Sequence, residues 1–198
     1  MLRKMTVMKH CLLLITAILL AHVANAQKKF ERETRIKSAK VAEKARTYVE
    51  SLFPDSKKIK WYLEENLEGV TIEAKLKENR SIYSIEFDTL GTLHDIERTQ
   101  KFDQLPMEVQ GNVTAYLKKR YKSFKIKKIQ IQWTGDPDVL HALIRKGDTD
   151  NTFTTNYEIV YTGREDKDTA SYESLFDRHG KHIETKEIIE RNLNHLLY

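Results

Sequence analysis

The chain has 198 residues, 40% of them hydrophobic, and carries 34 basic against 29 acidic residues for a formal net charge of +5. This length is enough for one compact body with its own core. The charge surplus is too small and too dispersed to coat nucleic acid, and a single cysteine excludes a disulfide framework.

Residues 1–26 read as an export signal. Arg3, Lys4 and Lys9 form a positive start, Cys11 to Leu20 an apolar run, and Ala24-Asn25-Ala26 a small-x-small cleavage site, so the mature chain is predicted to begin at Gln27. The apolar run is about ten residues against the roughly 20 that span a bilayer, so no stable membrane insertion is expected after cleavage. Cys11 precedes the apolar run, where lipid attachment would need a cysteine after it. Three basic residues and no acids leave with the signal, so the mature chain is close to neutral, with 31 basic and 29 acidic residues. It also has no thiol for nucleophilic attack or metal ligation. The expected location is periplasmic or secreted.

Residues 27–37 are charged and aperiodic and read as a flexible lead-in. A first unit covers 38–98. Val41, Ala45, Tyr48, Val49 and Leu52 line one face of a helix that Pro54 stops. Ile59, Trp61 and Leu63 then alternate with polar residues, as do Val70, Ile72, Ala74 and Leu76, which predicts two half-buried antiparallel strands. Residues 82–87 and 92–98 give two more, joined by Phe87-Asp88-Thr89-Leu90-Gly91. In that turn Asp caps through its side chain and Gly supplies a positive φ.

A second unit covers 99–187 in the same order. Leu105-Pro106 opens a helix along which Val109, Val113, Tyr116 and Leu117 keep helical spacing. Ile129, Ile131 and Trp133 echo the first strand, residues 139–144, 155–161 and 170–176 supply further strands, and Phe176-Asp177-Arg178-His179-Gly180 repeats the turn. Extra residues near 136–138, 145–154 and 163–168 read as loops. The tail, 188–198, either extends the last strand or forms a short helix, and Ile189, Leu193, Leu196 and Leu197 favour the helix.

The expected fold class is therefore α+β: two tandem helix-plus-four-strand repeats forming one antiparallel sheet, with the helices packed on one face. Trp61 and Trp133, in phase with Ile and Leu, are expected core anchors. The other face is expected in solvent, presenting Lys60, Tyr62, Thr71, Glu73, Lys75, Glu86, Gln130, Gln132, Asn156, Glu158 and Glu173.

Export signal, Phe53-Pro54 at a helix end, Lys60-Trp61 on a strand, the Phe-Asp-x-x-Gly turn and Leu105-Pro106-x-x-Val109 together resemble the PepSY-like family of exported bacterial proteins, related in fold to β-lactamase inhibitor protein. The similarity spans about residues 38–187. It implies a tandem repeat whose curved sheet exposes one face to a partner protein. The second unit departs from the pattern, with Tyr121-Lys122 in place of Phe-Pro and no Lys-Trp start. No inhibitory residue carries over from such short motifs.

Chemical motifs are sparse. His179-x-x-His182 places one histidine in a turn and the other on a strand, Asp148 to Asn151 lacks the Gly and distal Glu of a calcium loop, and no Gly-x-Ser-x-Gly elbow or phosphate loop is present. No catalytic, metal or cofactor site is expected. Two functions remain. The first is a non-enzymatic protein- or peptide-binding protein, inhibitory in one version, holding an envelope or secreted partner on Tyr62, Glu73, Lys75, Gln132 and Glu158 of the sheet face and on Asp138 and Arg145 at its rim. The second is a small-ligand carrier or an accessory of an envelope hydrolase. The broad polar face favours the first, because a ligand pocket would show convergent apolar residues.

Overall fold

The computed structural model describes residues 27–147 and 152–189. The expected signal, the Asp148–Asn151 stretch and most of the tail lie outside them. In chain order the elements are β1 (Gln27–Lys29), β2 (Glu31–Ile36), α1 (Glu43–Leu52), β3 (Lys60–Asn66), β4 (Val70–Glu78), β5 (Ser81–Phe87), β6 (Leu93–Thr99), α2 (Met107–Arg120), β7 (Ser123–Thr134), α3 (Pro137–Lys146), β8 (Thr154–Glu165), β9 (Asp168–Asp177) and β10 (His182–Ile188). Among the described residues no helix is long and apolar enough to cross a membrane.

All ten strands join one sheet in the order β1-β10-β9-β8-β7-β6-β5-β4-β3-β2. Neighbours are antiparallel except β1 on β10, which makes the sheet mixed. The two ends of that order are adjacent in sequence, with only Phe30 between them. Segment 27–36 therefore pairs with β10 through one half and with β3 through the other, and the sheet is drawn into a nearly closed barrel. Across the seam Lys186 Nζ of β10 lies 3.4 Å from Glu68 Oε1 in the β3–β4 turn.

This overturns the expected α+β arrangement of two tandem helix-plus-four-strand repeats. Residues 27–36 are strands rather than a flexible lead-in: their charged side chains conceal a backbone that pairs with part of β10 and with β3. Residues 139–144 are helical rather than extended. Asp136 Oδ1 accepts from Asp138 N and Val139 N, Pro137 starts the helix, and Gly147 closes it at φ 80°. Leu140, Leu143 and Ile144 then share a face, a spacing that a short apolar run leaves open between helix and strand. Residues 163–168, expected as a loop, prolong β8 and begin β9 around a tight turn at Asp166, φ 44°.

The two Phe-Asp-x-x-Gly turns are built alike. Asp88 Oδ1 accepts from Leu90 N and Thr92 N at 2.8 and 2.7 Å, and Asp177 Oδ1 accepts from His179 N and Lys181 N at 2.9 Å each. Gly91 and Gly180 take φ 84° and 77°, which a side chain would resist.

The apolar phase of the sheet carries the helices. Ala45, Val49 and Leu52 of α1 and Val109, Val113 and Leu117 of α2 share one core with Trp61, Ile85, Ile96, Ile131, Trp133 and Ile159. Each such side chain contributes about 1.5–3 kcal/mol on burial. Both tryptophans are buried, and Tyr48 of α1 donates its hydroxyl to Pro137 O of α3 at 2.9 Å.

The polar phase faces into the curl rather than solvent. Glu73 and Asp95 are each 8% exposed and Gln130 is 4% exposed, so this face is not the broad hydrated surface expected. Alternation separates the two faces of a strand, but pairing at the distant edges decides which becomes concave.

Candidate functional site

The inside of the barrel is acidic. A cavity of about 630 Å³ is lined by Lys29 of β1, Glu31 of β2, Glu64 and Asn66 of β3, Glu86 of β5, Gln132 of β7, Glu158 of β8, Glu173 and Leu175 of β9, and Glu184 and Lys186 of β10, with Leu67 and Glu68 from the β3–β4 turn. A second cavity, of about 710 Å³, shares Lys29, Phe30, Glu31 and Glu173 with the first and reaches Lys128, Val160 and Ile188. Strand pleat explains the lining: every second residue of each strand points the same way, so the polar phase converges where the sheet curls.

At the junction of the cavities Lys29 Nζ lies 2.6 Å from both oxygens of Glu173 and 2.7 Å from Glu31 Oε1. Burial opposes the charge on Lys29, but Glu158, Glu173 and Glu31 outweigh it and hold the ammonium well above its usual range. Further along the sheet, Lys75 Nζ donates to Glu33 Oε1 at 2.5 Å, lies 2.9 Å from Glu73 Oε2, and sits 5.3 Å from the centre of the Tyr62 ring. Glu33, Glu64 and Glu73 each bring a carboxylate oxygen within 4.8 Å of the others, the one acidic group among the described residues with spacing that could hold a metal ion. Lys75 already neutralises two of its members.

Amides hold the deepest acids. Gln132 Nε2 donates to Asp95 Oδ2 at 3.1 Å, Asn156 Nδ2 donates to Gln132 Oε1 at 3.3 Å, and Gln130 Nε2 donates to Glu97 Oε2. Burial pushes Asp95 and Glu97 well above the carboxylate range, and neighbouring acids add to it. Glu64 is raised to about 8 by burial and by Glu31, Glu86 and Glu73. Glu158 is raised to about 7 by burial and Glu173, against the pull of Lys29 and Lys128. Burial also raises Glu73, with Lys75 opposing. Several interior carboxyls thus keep their protons near neutral pH, and a positive group entering the chamber would ionise them.

The face residues singled out from sequence are split by the fold. Tyr62, Glu73 and Lys75 come together in one cluster, while Gln132 and Glu158 line the first cavity. Asp138 and Arg145 are exposed on α3, on the opposite side of the sheet. The two nearby histidines separate: His179 lies 3.4 Å from Glu108, whereas His182 stacks on Tyr116 at 4.1 Å and bonds Thr185. Lys29, Glu64, Asp95 and Glu97 were not singled out. The sequence does carry a signal for them, since the polar phase holds an acid on eight strands: Glu33, Glu64, Glu73, Glu86, Glu97, Glu158, Glu173 and Glu184.

Comparison with known proteins adds fold alone. No protein family matches the chain, and no curated protein matches it. Among solved structures, a DUF2874 family protein from Bacteroides ovatus has TM-score 0.50 at 10% identity, covering 74% of this chain and 87% of that one. A DUF2874 family protein from Bacteroides uniformis has 0.49 at 14%, covering 74% and 89%. A BLIP-like protein from Bacteroides fragilis has 0.48 at 16%, covering 78% and 92%. The neighbours are thus DUF2874 family and BLIP-like folds.

Proposed function

We propose that this chain is a non-enzymatic, exported binding protein that takes a cationic group into its acidic chamber. That group is a small organic amine or the basic side chain of an envelope or secreted protein or peptide. The observation supporting this reading is the lining of the first cavity, seven carboxyl side chains against three lysines, Lys28, Lys29 and Lys186, around about 630 Å³, a volume typical of small-ligand sites. An ammonium or guanidinium there would find convergent acceptors and form charge-assisted hydrogen bonds. An anion would meet repulsion from most of the wall. The enclosed face shifts weight from a flat protein-docking surface toward a ligand drawn inside.

Export and the PepSY-like resemblance belong to the same proposal, and N-terminal sequencing of the mature protein beginning at Gln27 would support export. The binding test is calorimetric titration of the purified protein at pH 8 with n-butylamine, spermidine and N-acetylarginine amide, beside citrate. Saturable binding of a cation, absent for citrate and weakened at least tenfold in the Glu64→Gln, Glu86→Gln double variant, is the expected result. No saturable heat from any cation would sink the proposal.

A further inference from the structure

Among the described residues, the first cavity borders a stretch of strand edge with no strand beside it. β1 pairs with β10 only at Lys186, Glu187 and Ile188, whereas β10 begins at His182. His182, Glu184 and Thr185 therefore pair with β9 on one side, with a register shift at Ile183, and, among the described residues, with no strand on the other. Across the gap stands the β3–β4 turn, whose Asn66, Leu67 and Glu68 line the same cavity as Leu175, Glu184 and Lys186. Among the described residues no strand bridges this gap, and Glu86 and Glu158 line the same cavity.

We propose that an extended peptide adds to the free edge of β10 at His182–Thr185 and sends a lysine or arginine side chain into the chamber. This rests on the cation-binding reading above and names the class of ligand. Unpaired N–H and C=O groups along a strand edge are a template for another strand, and alternate side chains of the added strand give specificity. Successive side chains of the peptide would point to opposite faces. One set enters the acidic cavity, where Leu67 and Leu175 can cover the aliphatic stem and the carboxylates meet the charge. The other set lies beside Ile183, which is 51% exposed. The favoured peptide therefore alternates basic residues with β-branched apolar ones.

The test compares three probes on the purified protein. These are the acetylated, amidated peptide Val-Lys-Val-Lys-Val; the same peptide N-methylated along its backbone; and cadaverine, which has two ammonium groups and no backbone. The peptide is expected to bind at least tenfold more tightly than cadaverine, to lose that advantage on N-methylation, and to slow exchange at least tenfold at those amides of His182–Thr185 that point away from β9. Equal affinity for peptide and cadaverine would overturn strand addition while leaving the cation chamber standing. Failure of both to bind would overturn both proposals. Slow exchange at these amides before any probe is added would show the edge already covered, which also overturns strand addition.

Discussion

Lys29 Nζ lies 2.6 Å from both carboxylate oxygens of Glu173, 144 residues away in sequence, and so ties the first strand across β10 to β9. The lysine side chain is 19% exposed and the glutamate 12%, so the pair is neither fully buried nor screened like a surface contact. Lys29→Met should destabilise the fold by about 2–4 kcal/mol, somewhat less than breaking a fully buried pair costs, because Glu173 and Glu158 lose their counter-ion. Adding Glu173→Gln should restore part of the loss. Denaturant titration would measure both, and a single variant within about 0.5 kcal/mol of the parent would mean that the seam does not depend on this pair.

The interior acids set a pH profile. Folding raises Glu64 to about 8 and Glu158 to about 7, from an ordinary value of 4.5, mainly through burial. Between those limits the folded chain holds more protons than the unfolded one, so stability is full below about 4.5 and falls as pH rises toward 8. Asp88 and Asp177 act oppositely, since turn hydrogen bonds hold them below 3.8 and their contribution is lost in stronger acid. Melting temperature should peak near pH 5 and drop by roughly 5–10 °C toward pH 8, the equivalent of a few kcal/mol. A bound cation should flatten the drop by favouring the ionised acids. A profile that is flat or rising from pH 5 to 8 without ligand would show that the chamber does not shift its acids upward.

Two glycines should respond to alanine with opposite signs. At Gly180 a Cβ would stand 2.8 Å from Val109 Cα, at φ 77°, so Gly180→Ala should cost about 2–4 kcal/mol through overlap and backbone strain. Gly111 sits exposed in α2 with nothing within 4 Å of a Cβ, so Gly111→Ala should stabilise by about 0.5–1 kcal/mol. Thermal melts of both variants would check the pair, and a neutral Gly180→Ala would show that the second turn does not press on α2.

Trp61 and Trp133 are 5% and 8% exposed, and the Arg98 guanidinium lies 5.3 Å from the centre of the Trp133 ring. Replacing either with Ala should cost about 3–5 kcal/mol. Trp133→Ala should also leave Arg98 more mobile, visible as a narrowed side-chain resonance. Near-parent stability in either variant would count against their place in the core.

What the sequence by itself determined is local. Helical spacing places Val49 and Val113 in the core, alternation puts Trp61 and Ile131 in the apolar phase, and Asp88 with Gly91 specifies a turn, because each depends on contacts a few residues apart. What only the tertiary structure decided is which way the sheet bends. Alternation states that Glu73 and Glu158 share a face opposite Ile72 and Ile159. It does not state whether that face is convex and hydrated or concave and enclosed, since polar residues suit both. The answer lies in pairings that no local window contains, Lys29 with Ile188 and Ile36 with Trp61, through which one short charged segment pairs with β3 and with the end of β10. Once those edges close, carboxylates that would be ordinary in water are crowded together in a chamber, and their raised proton affinity follows from burial rather than from anything in their spacing.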